Sequence, residues 1–150
     1  MKSMISKTMA LLVICATAFS FSSKYGGEGF EILLNEKLIV QRFGNDLDKV
    51  QNLQLNSASV NDKLTIKYYH CGRVGKNRVI TFKDVDNNII KEFHFPDVNN
   101  AVASMTLDVK DIMHLKKGNT TLRLYYSSSE LPSGRMLVAI NSGSTNRTMP

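Results

Sequence analysis

The chain has 150 residues, of which 43% are hydrophobic, 21% charged and 8% aromatic, with a formal net charge of +6. A chain this apolar can offset the entropy of ordering its backbone, which excludes a disordered polymer, and its length suits one domain. Nine Gly and three Pro exclude collagen-like and linker-dominated architectures, and two Cys exclude a disulfide-dense scaffold or a Cys-rich zinc module.

The first residues read as an address. Lys2 and Lys7 precede an apolar run through Leu11, Leu12, Val13 and Ile14 that closes on Ala16-Thr17-Ala18, the pattern of a secretory signal peptide. The run falls short of the ~20 residues that a membrane span needs. Cleavage is expected after Ala18, with Ser20 or Ser23 as alternatives. Lipidation at Cys15 is disfavoured because Ile14 occupies the place of the usual small residue. Removal of residues 1–18 leaves Cys71 as the single cysteine, so no internal disulfide is expected. The expected organisation is a leader over 1–18, a flexible lead-in over 19–28, one domain over 29–140 and a loose tail over 141–150.

Within the domain the segments are short and alternate in polarity. Phe30, Ile32 and Leu34, then Leu38, Val40 and Arg42, flank the reversal Asn35-Glu36-Lys37 and predict a β-hairpin. Residues 44–51 predict a loop or a single helical turn, and Leu53 with Leu55 a short strand. Leu64 to Cys71 is the strongest strand, rich in Tyr, Ile and Thr. Arg78 to Lys83 and Ile89 to Phe95 form strands around a turn at Asp84 to Asn88, and Pro96 ends the second. Ser104 to Lys110 follows, then a helical turn at Asp111 to Leu115. The last strands are Thr120 to Ser128 and Arg135 to Ile140, with a turn at Pro132-Ser133-Gly134.

No apolar pattern holds a 3.6-residue period for ten residues, so no long helix is expected. About nine short strands predict an all-β, antiparallel β-sandwich of jelly-roll or Ig-like type. Leu64-Thr65-Ile66-Lys67-Tyr68-Tyr69 and Leu122-Arg123-Leu124-Tyr125-Tyr126-Ser127 share one pattern. With a period of two, Leu64, Ile66, Tyr68, Leu122, Leu124 and Tyr126 are expected in the core, leaving Lys67, Tyr69, Arg123 and Tyr125 outside.

If those two strands are neighbours, the four outward residues form one face of aromatic rings and cations. Such a face suits sugar rings and their hydroxyl or carboxylate groups. Arg73, Lys76 and Arg78 crowd the loop 72–78. Arg73 and Lys76 extend the candidate ligand-binding set, although a solvated hairpin loop explains a cluster this small. The loop is no phosphate cradle, because Gly75-Lys76 is followed by Asn77 and then by a strand instead of a helix.

Asp84-Val85-Asp86-Asn87-Asn88 matches the opening of a calcium loop but has Ile89 in place of the required glycine and Phe95 in place of the closing glutamate. A hairpin turn is expected instead. His70 and Cys71 are adjacent and point to opposite faces of a strand, which argues against a shared metal. A nucleophilic pair of Cys71 with His94 or His114 lacks a local signature, and a strand cysteine is expected to be a buried apolar group. No cofactor, metal or nucleic-acid partner is expected. Asn119-Thr120-Thr121 and Asn146-Arg147-Thr148 fit the glycosylation pattern.

The segments Gly29 to Asn35, Lys67 to Arg78 and Leu124 to Pro132 resemble a group of small exported proteins of Bacteroidota that has no assigned activity. The resemblance covers nearly all of the chain after the leader, and it implies a Gram-negative envelope location without implying a mechanism. The combined expectation is a secreted or periplasmic, non-catalytic module that binds carbohydrate or an envelope polymer through Lys67, Tyr69, Arg73, Lys76, Arg123 and Tyr125. The alternatives are a protein-interaction subunit of an envelope assembly and a small thiol enzyme centred on Cys71.

Overall fold

In a computed structural model of the chain, residues 27–55, 60–100, 102–116 and 120–142 are described. The leader over 1–18, most of the lead-in and the tail beyond 142 lie outside them. The first hairpin joins β1 (Glu28–Leu34) to β2 (Lys37–Phe43). Its two turn residues, Asn35 and Glu36, both have positive φ, 48° and 66°, the backbone that matches the right-handed twist of flanking strands. Asn35 is suited to this and also anchors the turn. Its amide donates to Asp62 Oδ1 at 2.7 Å, and its side-chain oxygen accepts from the Lys63 backbone N–H at 2.9 Å.

A single 3-10 turn, Gly44–Asp46, sets Leu47 into the core and leads to β3 (Gln51–Leu55). Then come β4 (Lys63–His70), β5 (Arg78–Lys83), β6 (Ile89–Phe95), β7 (Ser104–Asp108), the short helix α1 (Val109–Leu115), β8 (Leu122–Ser128) and β9 (Leu131–Ser142). The described residues thus hold nine strands, in sheets of order β2-β1-β4-β7 and β3-β9-β8-β5-β6. Every pairing is antiparallel except β3 with β9, which is parallel. No helix of the described residues is long and apolar enough to cross a membrane.

The six predicted core residues of β4 and β8 are all buried. They meet across the core: the Tyr68 and Tyr126 rings stack with centroids 4.3 Å apart and planes 17° from parallel. Phe30, Ile32, Ile80, Phe82, Met105 and Val138 fill the space around them, so one apolar cluster holds both sheets together. Burial of each such side chain stabilises by about 1.5–3 kcal/mol.

Two expected elements differ. The strand expected over 104–110 stops at Asp108, and helix α1 begins at Val109, whose N–H donates to the Asp62 carbonyl at 3.0 Å. Val109 and Ile112 then close one end of the core. The expected turn at Pro132-Ser133-Gly134 lies inside β9 instead, because the chain reverses at Ser129-Glu130. The register shift between Tyr126 and Ser128 in the β8–β9 ladder sets these three residues opposite Ser127 alone. Such a bulge accommodates a proline without an N–H and a glycine at φ 69°.

Candidate functional site

The predicted binding set divides into three places. β4 and β8 belong to different sheets, and since their inner faces meet, their outer faces point away from each other. Lys67 and Tyr69 stand on the outside of the four-stranded sheet, Arg123 and Tyr125 on the outside of the five-stranded sheet. The single combined face expected from the sequence does not form. Arg73 and Lys76 sit in the exposed loop that follows β4, at one end of the sandwich.

On the four-stranded sheet, antiparallel register builds three outward rows. Phe43, Gly29 and Tyr69 form the first, Gln41, Glu31, Lys67 and Ser104 the second, and Leu38, Leu33, Thr65 and Thr106 the third. Gly29 is needed in the first row, because a Cβ there would stand 2.0 Å from Phe43 Cδ1. The Phe43 ring lies across it and reaches Tyr69, with centroids 5.2 Å apart. In the second row Glu31 is buried to 9% exposure and accepts from Tyr69 Oη and from Gln41 Nε2, both at 2.9 Å. Such bonds satisfy a carboxylate that burial would otherwise penalise.

Beside these rows runs a depression of about 360 Å³ lined by Leu33, Glu36, Thr65, Lys67, Ser104 and Thr106. A second, of about 430 Å³, continues it toward Asn35 and Lys63 and shares Glu36, Thr65 and Thr106. The Thr65 and Thr106 hydroxyls are 3.0 Å apart. Among the described residues Lys67 makes no salt bridge.

The outside of the five-stranded sheet is built differently. Lys83 Nζ stands 4.5 Å from the centroid of the Tyr125 ring, and Arg123 donates to Asn87 Oδ1 at 2.9 Å. Asn87 belongs to the β5–β6 turn, where Asp84 Oδ1 accepts from the Asp86 and Asn88 N–H groups, both at 2.9 Å. The side-chain amide of Asn88, with those N–H groups, holds the Asp84 carboxyl below the usual range. Asp84 therefore organises a hairpin turn, as expected.

A third cluster lies at the end of the sandwich where β4 finishes. His70 points inward and is buried, with Nε2 2.8 Å from Tyr126 Oη and 3.3 Å from Ser128 Oγ. Gly75 closes over the pair: a Cβ there would stand 2.8 Å from Tyr126 Oη and 3.0 Å from the His70 ring. Burial lowers the His70 pKa and raises that of Tyr126. Nearby, Tyr68 Oη donates to Glu28 at 2.5 Å and accepts from Arg135 Nε at 3.1 Å, and Arg135 also reaches Asp48 at 2.9 Å. Burial, then the bond to Glu28, pushes the Tyr68 hydroxyl pKa well up. His70, Tyr68 and Tyr126 are buried and bonded to neighbouring side chains, a polar strut between the sheets whose outer end, at Arg135 and Asp48, reaches the surface.

Arg78 does not belong to a solvated basic loop. It is buried, and its guanidinium donates to the carbonyls of Pro96 at 2.7 Å and Ala103 at 3.2 Å. Lys76 presents its backbone N–H to Glu130 at 2.9 Å, which holds that carboxyl below its ordinary pKa. Cys71, expected to be a buried apolar group, is exposed at φ 53° in the turn after β4. His70, its neighbour, is turned into the core, away from the thiol. Among the described residues no group of three or more His, Cys, Asp or Glu could hold a metal ion.

No family model matches the chain, and no curated protein matches it. The groove residues Glu36, Thr65, Ser104 and Thr106 were missed in the sequence. The Thr and Ser residues carry no signal, since hydroxyls on the wet face of a strand are ordinary.

Proposed function

We propose that the protein is an exported, non-catalytic module that binds a hydroxyl-rich glycan chain along the outer face of its four-stranded sheet. The observation that carries this reading is the pair of adjoining depressions, sharing Glu36, Thr65 and Thr106, that leads from Ser104 and Lys67 to Asn35 and Lys63. An elongated depression suits a polymer better than a compact metabolite. It offers hydroxyls, an amide, a carboxylate and ammonium groups, the mixture that donates to and accepts from sugar hydroxyls. Of the residues expected from the sequence, Lys67 lines the groove and Tyr69 stands in an adjoining row.

The test is a thermal-melt screen against dextran, mannan, polygalacturonate and soluble peptidoglycan. A polymer at a hundred times its dissociation constant stabilises by about 2.7 kcal/mol. The Lys67→Met, Glu36→Gln double variant is expected to lose at least tenfold in affinity for the polymer that shifts the melt. An unshifted melt with all four polymers, or an unchanged affinity in the double variant, would sink the reading.

A second reading is a protein-interaction subunit, favoured by β6. This edge strand leaves Ile89 59% and Ile90 39% exposed, and an open edge can pair with an extended strand of another envelope protein. Cross-linking in the envelope from a probe at position 90 tests it, and an adduct lost when Ile89→Pro is added would support it.

A further inference from the structure

We propose that the protein carries a second sugar-binding site, on the outer face of the five-stranded sheet, and so bridges two glycan chains. The inference rests on the glycan-binding reading of the opposite face. A cleft of about 160 Å³ opens between β5, β8 and the bulged stretch of β9. That space is the volume of about five waters, room for one sugar ring and not for a chain segment.

Its walls present complementary groups. The Lys83 ammonium is steadied over the Tyr125 ring, and among the described residues it makes no salt bridge, so its N–H donors stay available. Glu92 supplies a carboxylate, oriented by a 3.4 Å bond from the Thr81 hydroxyl. Ser127 and Ser133 add hydroxyls that donate or accept. The third wall exists because of the β9 bulge, which raises Pro132 to Gly134 beside Ser127 where a regular ladder would lie flat. Bulges re-aim side chains in this way next to binding sites.

The two outer faces point in opposite directions across sheets about 10 Å apart. A straight chain in the groove cannot also enter the cleft, so each site takes its own chain. One molecule then links two polymers, and an array of molecules on two polymers gains avidity without new contacts.

The experiment follows light scattering and the thermal melt together, mixing the intact protein with the same four polymers under reducing conditions so that Cys71 cannot link copies. With the polymer that raises the melt, scattering is expected to climb with added protein, peak, and fall once separate molecules saturate each chain. Lys83→Met and Glu92→Gln, which preserve bulk, should each remove the peak while leaving the melt shift above half its native size. A melt shift with flat scattering overturns the second site and leaves the groove reading standing. Scattering that survives both variants assigns the linking to self-association and also overturns it. No melt shift with any polymer overturns both readings together.

Discussion

His70 shows how much one buried ring organises. Its Nε2 meets Tyr126 Oη and Ser128 Oγ, its face packs on Tyr68 with centroids 4.8 Å apart, and Gly75 covers it. The charged groups that act on it are Glu130 and Glu28, which favour its proton, and Arg73, which opposes it; burial outweighs them and lowers its pKa. The sign of the pH dependence follows. With the folded pKa below the unfolded value of about 6.5, the unfolded chain takes up the proton first. The stability contributed by the neutral ring is complete above that value and is lost as pH falls below it. The melting temperature is therefore expected to drop from pH 7.5 to pH 5 more steeply in the native protein than in His70→Gln. Equal slopes in the two proteins would show that other groups set the acid sensitivity.

Arg78 does at the level of elements what His70 does at the level of rings. It begins β5, yet its two bonds go to Pro96 at the end of β6 and Ala103 before β7. One guanidinium thereby fixes the connection that carries the chain from the five-stranded to the four-stranded sheet. Arg78→Met keeps most of the apolar stem and removes both charge-assisted bonds, and is expected to lower stability by about 2 kcal/mol. Faster amide hydrogen exchange should concentrate between residues 96 and 104. A loss of protection spread evenly over all strands would mean that Arg78 supports the core and not the connection.

For the molecule as a whole, a single apolar cluster drawn from both sheets predicts one cooperative transition. The chain has no Trp, and the stacked Tyr68 and Tyr126 provide a spectroscopic report from the sheet interface. Near-ultraviolet and far-ultraviolet circular dichroism should fall together in denaturant. Tyrosine signal lost at lower denaturant than strand signal would reveal sheets that separate before they unfold. The groove and the Tyr125 cleft lie on opposite outer faces, with the shared core between them.

The first hairpin, the strand phases of β4 and β8 and their six inward residues were legible in the chain, since alternation, turn residues and period-two burial are local properties. Asn35 announces its turn within four residues, and Tyr68 and Tyr126 each declare an inner face from their immediate neighbours. The pleat separates the inside of a strand from its outside and carries no information about which strands lie side by side. The similar patterns of β4 and β8 therefore read as one shared surface, and the fold makes them opposing walls. Likewise Pro132 to Gly134 has turn chemistry that a bulge uses equally well, and Arg78 looks like one charge among three until its distant carbonyl partners come close. Strand pairing joins residues far apart in the chain, so the division of Lys67 from Tyr125 between two outer faces arises only when the sheets assemble.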